Sequence, residues 1–190
     1  MPASDFTPPD ARQFREAMGL FATGVAVVAA HAGDEVHGMT ANSVTSVSLE
    51  PMLLLFCPAK QSRLAQVLGP GVPFSVNFLR ADQQAISVYF AGRWREAEPP
   101  PFHFAPLGAA PGLVGSLASI ACQVRDMIDG GDHWVVIGDV LHLQQGAGQH
   151  EPLLFYRGRY RQVDLAGGAA APDLSAVTNE PVHVHYEPEA

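Results

Sequence analysis

The densest run of chemically useful side chains is Gly38-Met39-Thr40-Ala41-Asn42-Ser43-Val44-Thr45-Ser46-Val47-Ser48-Leu49-Glu50-Pro51, with five hydroxyls, one carboxamide and one formal charge. So many neutral hydrogen-bonding groups in one stretch suit a large, flat, polar ring with a sugar-like tail better than a metal, a nucleic acid or a peptide. The plain alternative is a half-solvated strand, since β-branched and hydroxyl residues are common on sheet surfaces. A second group follows at Lys60, Ser62 and Arg63. A phosphate wants positive charge, a hydroxyl and a helix N-terminus, and this loop offers all three; a solvated loop is the alternative. Arg157, Arg159 and Arg161, read as one strand, alternate and share a face. They are the densest basic cluster in an acidic chain, and a dinucleotide pyrophosphate is a fitting target; a solvated basic face is the bland one. His133 follows Gly131-Asp132 at the start of a strand. Alternation would point Asp132 away from it.

Other chemistries lack their residues. No Gly-x-Gly-x-x-Gly links a strand to a helix, and no Gly-Lys-Ser/Thr phosphate loop occurs. Paired catalytic carboxylates and a nucleophile elbow are not evident. His183 and His185 would share a strand face, but two ligands without a third make a weak site, and no metal is expected.

The elements that must position these residues read as mostly strands. Asp10 as N-cap with Gln13 reaching back starts a short amphipathic helix. Its apolar positions are Phe14, Met18 and Phe21, and Gly24 ends it. Strands are expected at 25–30, 36–40, 52–57, 74–79, 117–124, 134–143 and 153–160. The continuous apolarity of 52–57 points to burial on both faces. Ser62 caps a short helix to residue 68, and Asp82 caps another to residue 90. Residues 93–115, rich in Pro, read as a long ordered loop. Few helices separate the strands, which favours a mainly β, antiparallel barrel over a doubly wound sheet.

Length and composition bound the rest. The 190 residues fit one domain over 1–165 with an Ala/Gly/Pro-rich, acidic tail at 166–190, expected to be flexible or draped over a partner subunit. Eleven basic against 19 acidic residues give −8, which disfavours nucleic acid and anionic membranes. Charged residues are only 16%, so much of the surface is apolar or neutral, and oligomerisation is a natural cover. No membrane span and no signal peptide are expected. The two cysteines read as reduced core residues, and the expected compartment is the cytoplasm.

Several motifs in order carry a resemblance. Phe21-Ala22-Thr23-Gly24-Val25-Ala26-Val27-Val28, the hydroxyl segment and Glu50-Pro51-Met52-Leu53-Leu54-Leu55-Phe56-Cys57 come first. Phe74-Ser75-Val76-Asn77-Phe78-Leu79, the block from Gln83 to Phe90-Ala91-Gly92, Gly130-Gly131-Asp132-His133 and Pro152-Leu153-Leu154-Phe155-Tyr156-Arg157-Gly158-Arg159-Tyr160 follow. Over roughly residues 10 to 163 the chain resembles the flavin reductase family with the FMN-binding split-barrel fold, departing at Met52, where a second proline is usual. The resemblance implies an antiparallel split β-barrel and a flavin, FMN or FAD, lined by Thr40, Ala41, Asn42, Ser43, Thr45 and Ser46. Neutral donors there suit the ring oxygens and favour the negatively charged reduced state. Lys60, Ser62 and Arg63 become phosphate contacts, with Asn77 and Gln83 as further ones. His133 is placed near the nicotinamide and flavin, where it orients the nicotinamide or supplies a proton. Tyr156, Arg157, Gly158 and Arg159 lie near NADH or NADPH. The implied reaction is hydride transfer from nicotinamide C4 to flavin N5 in a homodimer, with reduced flavin serving a separate monooxygenase. Two other readings stay open on the same fold: an electron carrier or other non-enzymatic flavin-binding protein, and a relative that has lost flavin and acts in binding or assembly.

Overall fold

The computed structural model describes residues 8–163. The tail at 166–190, with His183 and His185, lies outside them. Helix α1 (Ala11–Met18) starts as its sequence demands. The Asp10 carboxylate accepts from the backbone N–H groups of Arg12 and Gln13 at 2.8 Å, and Gln13 Oε1 accepts from Asp10 N–H at 3.0 Å. It ends at Gly19, not at Gly24, and buries none of its residues. Phe14, Met18 and Phe21 are all exposed.

The strands are β1 (Thr23–Gly24), β2 (Ala26–Ala32), β3 (Glu35–Ala41), β4 (Val44–Leu49), β5 (Met52–Phe56), β6 (Pro73–Phe78), β7 (Phe104–Leu107), β8 (Ala110–Leu113), β9 (Ala118–Gly130), β10 (His133–Gln145), β11 (Leu154–Tyr156) and β12 (Arg159–Arg161). Seven of them form one antiparallel sheet in the order β3-β2-β6-β9-β10-β5-β4. Its two edge strands, β3 and β4, are joined by only Asn42 and Ser43. So short a link brings opposite edges of the sheet together, and the sheet must curl round. The result is a barrel with a seam between β3 and β4 that lacks a hydrogen-bonded ladder, the split barrel expected from the sequence.

One core fills the barrel around Val28, Leu54, Phe56, Phe74, Val76 and Val136. Gly138 lets Phe74 in: a Cβ there would sit 2.5 Å from the ring. A second core lies outside the barrel wall. It joins Val25, Val27 and Leu79 to Ile86 of α3 (Gln84–Phe90), Leu113 and Leu153. Alternation along β2 sends successive residues to the two cores.

Four local expectations change. Strand β5 is not buried on both faces: Leu54 and Phe56 are buried, Leu53 and Leu55 half-buried and Met52 exposed. Residues 93–115 contain the β7–β8 hairpin. Asp82 does not cap a helix; its carboxylate bonds Arg80, and a 3₁₀ turn (Ala81–Gln83) leads into α3. The expected strand at 153–160 is two short strands, because Arg157 and Gly158 take φ of 49° and 71° and form a two-residue hairpin turn. Arg157 therefore does not share a strand face with Arg159 and Arg161.

Asn77 is also reassigned. Its side chain is fully buried. Nδ2 donates to Val27 O and Ser75 Oγ at 2.9 Å, and Oδ1 accepts from Leu113 N–H at 2.8 Å. It ties the β8 hairpin to the barrel. Asn77→Ala leaves a buried N–H and C=O without partners, at about 1–3 kcal/mol each. The expected outcome is a thermal midpoint several degrees lower, read by calorimetry; an unchanged midpoint would remove Asn77 from the hydrogen-bonding core.

Candidate active site

The seam that the Asn42–Ser43 link leaves between β3 and β4 opens into a cavity of about 710 Å³. Ala41, Asn42, Ser43 and Thr45 line it, with Thr23, Gly24, Leu55, Cys57 and Phe78. Ser43 holds the corner closed: its Oγ accepts from Cys57 N–H at 3.1 Å and donates to Cys57 O at 3.4 Å. Burial raises the Cys57 thiol pKa, against a smaller opposing effect of the Ser43 hydrogen bond. Thr23 Oγ1 is buried in this wall and has no partner among the described residues. A buried hydroxyl without a partner is costly, and a ligand oxygen or N–H in the cavity would satisfy it. Neutral hydroxyls and backbone groups on an otherwise apolar wall fit a flavin ring.

Strand alternation divides the hydroxyl segment. Thr45 pairs with Leu55 and shares its face, the cavity face. Ser46 pairs with Leu54, whose side chain points into the barrel core, so Ser46 lies on the opposite face from Thr45. Thr40 likewise turns away: its hydroxyl donates to Ser87 O of α3 at 2.6 Å. Of the six expected ring-lining residues, the fold gathers Ala41, Asn42, Ser43 and Thr45 and sends Thr40 and Ser46 elsewhere.

The histidine reaches this face through β-sheet register. Phe56 pairs with Val136, and Ala59 bridges His133 in the same register. His133 thus shares a side with Ala59, Cys57 and Leu55, two residues or about 7 Å beyond Cys57 along the strand. Contrary to the simple alternation argument, Asp132 does meet it. Asp132 belongs to the β9–β10 turn and not to the strand, and its Oδ1 lies 2.7 Å from His133 Nδ1. A carboxylate only accepts, so Nδ1 carries the hydrogen and the neutral ring presents Nε2 as an acceptor. This bond holds the Asp132 carboxyl below its usual range.

The polar side chains of the Lys60–Arg63 loop lie in two different places. Lys60 Nζ bonds Asp129 Oδ2 at 2.6 Å and sits 4.8 Å above the Trp134 ring. Asp129 Oδ1 also accepts from Gly131 N–H at 3.0 Å, and Lys60 N–H donates to Asp132 O at 3.0 Å. Lys60 therefore pins the turn that carries His133. Ser62 caps α2 (Arg63–Val67) by accepting from Ala65 N–H at 3.2 Å. Ser62 and Arg63 face a separate cavity of about 570 Å³ beside Met39 and Tyr89. At the C-terminal hairpin, Arg157 stacks over Tyr156 with its guanidinium 5.5 Å from the ring, while Gly158 and Arg159 are exposed. Sequence reasoning missed Thr23, Gly24 and Cys57 as wall residues. The signal was present in Phe21-Ala22-Thr23-Gly24, which read only as the lead-in to a strand.

An antiparallel barrel split at a seam, with a hydroxyl-lined cavity and an oriented histidine on one face, defines a flavoprotein of the FMN-binding split-barrel class. Residues 18–164 match the family model described as flavin reductase like domain, and the chain belongs to that family. The reductase subunit HsaB of a flavin-dependent monooxygenase from Rhodococcus jostii (strain RHA1) is 38% identical over 179 residues, covering 88% of this chain and 87% of that one. An NADH-dependent FAD reductase from Streptomyces globisporus is 37% identical over 177 residues, 90% of this chain and 96% of that one. Among solved structures, flavin reductase PheA2 in its native state has a TM-score of 0.76 at 38% identity, covering 82% of this chain and 99% of that chain.

The pinned turn titrates in acid. Hydrogen bonds from Lys60 and then from Gly131 N–H depress the Asp129 carboxyl. A depressed folded-state pKa means that the pin is complete above the ordinary carboxylate value, about 3.9, and is lost as pH falls through the lower folded value. The Gly131 amide NMR shift should therefore titrate with a midpoint below that ordinary value, and the transition should vanish in Asp129→Asn. A midpoint at or above the ordinary value would contradict the pin.

Proposed function

We propose that the chain is an NAD(P)H:flavin oxidoreductase that reduces FMN or FAD and delivers the product to a separate flavin-dependent monooxygenase. The observation that carries this reading is the single face shared by the seam cavity and the Asp132-oriented His133. A flavin held in the seam cavity would supply the redox chemistry, as the acceptor of the nicotinamide hydride. The residues supply position. Thr45 and the backbone of 41–43 offer hydrogen bonds from a corner that Ser43 braces against Cys57. Leu55 and Phe78 exclude water from the ring. His133, fixed through Nδ1, has Nε2 free to accept from the donor's carboxamide and would orient it; no protein nucleophile is required. The likeness to a named monooxygenase reductase subunit supports the oxygenase as the receiving partner.

Thr45→Ala is expected to weaken flavin binding by about 1–2 kcal/mol, roughly five- to thirtyfold, with Ser46→Ala close to wild type. His133→Ala should leave flavin affinity nearly intact and slow NADH-dependent bleaching of the flavin. Bleaching at the wild-type rate would remove His133 from the mechanism. A wild type that binds flavin yet oxidises no NADH or NADPH would favour the electron carrier.

The homodimer belongs to the same reading. Phe14, Met18, Leu20 and Phe21 are each more than half exposed on or just after α1, and Leu49 and Met52 are exposed at the β4–β5 end. Met18 and Phe21 also wall the flavin cavity. A second copy covering them would bury apolar area and complete that wall. Sedimentation is expected to give about twice the 20.2 kDa chain mass, and Phe21→Glu to give monomers with weakened flavin binding. A wild-type monomer reducing flavin at full rate would overturn the dimer.

A further inference from the structure

The chain changes sheets beside the flavin cavity. Thr23 and Gly24 pair with Phe155 and Leu154 in a three-stranded sheet, β1-β11-β12, while Ala26 pairs with Ala41 in the barrel. Among the described residues, no strand of the small sheet pairs with a strand of the barrel. Both sides of this junction wall the cavity: Thr23 and Gly24 on one side, Ala41 and the Asn42–Ser43 corner on the other. A ring seated between them needs their spacing held.

One buried serine is joined to both sides. Ser87, fully buried in α3, accepts at its backbone oxygen from the Thr40 hydroxyl at 2.6 Å, and Thr40 is the residue before Ala41. Ser87 Oγ shares a hydrogen bond with Tyr160 OH at 2.9 Å. Tyr160 stands opposite Phe155, and Phe155 opposite Thr23, so the three side chains form one row on one face of the small sheet. The Phe155 and Tyr160 rings pack edge to face, 5.5 Å apart. A continuous path thus leads from Ala41 through Thr40, Ser87, Tyr160 and Phe155 to Thr23. Its four middle members do not line the cavity.

The helix that carries Ser87 is itself seated on β3. Phe90 lies one turn further along the same face of α3, and its ring covers Gly38, where a Cβ would sit 2.7 Å away. Gly38 and Thr40 are two apart in a strand and turn the same face toward α3. A hydroxyl with no exposure in a helix interior costs stability unless it is bonded, and alanine would pack there without that cost. What the serine adds over alanine is the Tyr160 bond. We propose that Ser87 is a positioning residue for the flavin: through Thr40 and Tyr160 it sets the spacing of the two cavity walls, and with it how the ring seats. The inference rests on the flavin reductase reading and adds to it residues that do not touch the ring.

The probe is FMN, titrated into wild type, Ser87→Ala, Tyr160→Phe, Thr40→Val, Thr40→Ser and the double variant Thr40→Val/Tyr160→Phe. Each protein is held below its thermal midpoint, and the visible absorption band of bound FMN is recorded. Ser87→Ala, Tyr160→Phe and Thr40→Val each remove one hydroxyl and keep the packing. Each should weaken FMN binding about tenfold and move the bound band toward that of free FMN. Thr40→Ser keeps the hydroxyl and should bind as wild type does. The double variant should lose about the same tenfold as either single change, because both cut one path, whereas independent sites would add to roughly a hundredfold. A merely structural role lowers the thermal midpoint and leaves the affinity and the band of the folded protein unmoved. FMN affinity within twofold of wild type in Ser87→Ala and Tyr160→Phe, or additive losses in the double variant, overturns the proposal. A wild type that binds FMN beside unmoved variants sinks the strut alone; a wild type that binds none sinks the flavin reading with it.

Discussion

The two-residue link between β3 and β4 is the constraint from which the rest follows. Asn42 and Ser43 join the outermost strands of a seven-stranded sheet, so the sheet cannot lie open. Closure leaves a seam where main-chain groups do not pair with each other. An unpaired edge is ordinarily a liability. Here the edge is used: Ser43 crosses it to Cys57, and beside that bridge the wall recedes into the cavity. The residues that close the barrel, Asn42 and Ser43, thus also line the cavity.

Rigidity at this seam comes from both cores. Phe56 and Phe74 pack 5.2 Å apart inside the barrel, and Gly138 gives them room. Outside, Asn77 fastens β8 to β2 and β6, and Thr40 fastens β3 to α3. These are polar side chains of the types that bind ligands, yet they serve the scaffold. Buried polar groups demand partners, and at these sites the partners are backbone atoms from elements distant in sequence. Removing them from the ligand site is what lets the cavity wall stay mostly apolar with a few placed donors, as small-molecule sites generally are.

Charge is distributed unevenly over an acidic surface. Lys60, the single lysine, is taken by Asp129 and Trp134, and its role is mechanical: it holds the turn bearing His133 against the end of β5. Arg80 and Arg125 are likewise engaged by Asp82 and Asp139. Arg12, Arg15 and Arg157 meet at a cleft beside α1, and Arg63 lines the cavity beside Met39 and Tyr89.

Much of this was legible in the chain because it depends on near neighbours. The Asp10–Gln13 capping box, the Ser62 cap, most of the strands and the antiparallel class follow from side chains within a few residues of one another. The ordered motifs pointed to the family, and with it to Thr40, Ala41, Asn42, Ser43, Thr45, Ser46 and His133, of which Ala41, Asn42, Ser43 and Thr45 line the cavity. What sequence spacing could not decide was facing and partnership. Thr45 and Ser46 are adjacent and chemically alike, but pairing with Leu55 or Leu54 puts one at the cavity and the other on the opposite face. Asn77 and Lys60 had the right chemistry for ligands, but Leu113 and Asp129, 36 and 69 residues away, claim them. Arg157 read as one of three alternating strand residues until two successive positive φ values turned the chain beneath it. Local pattern is set by interactions along the chain and can be read there. Which face a residue takes, and which donor meets which acceptor, is set by register and by contacts across the barrel, and these exist only once the sheet has closed.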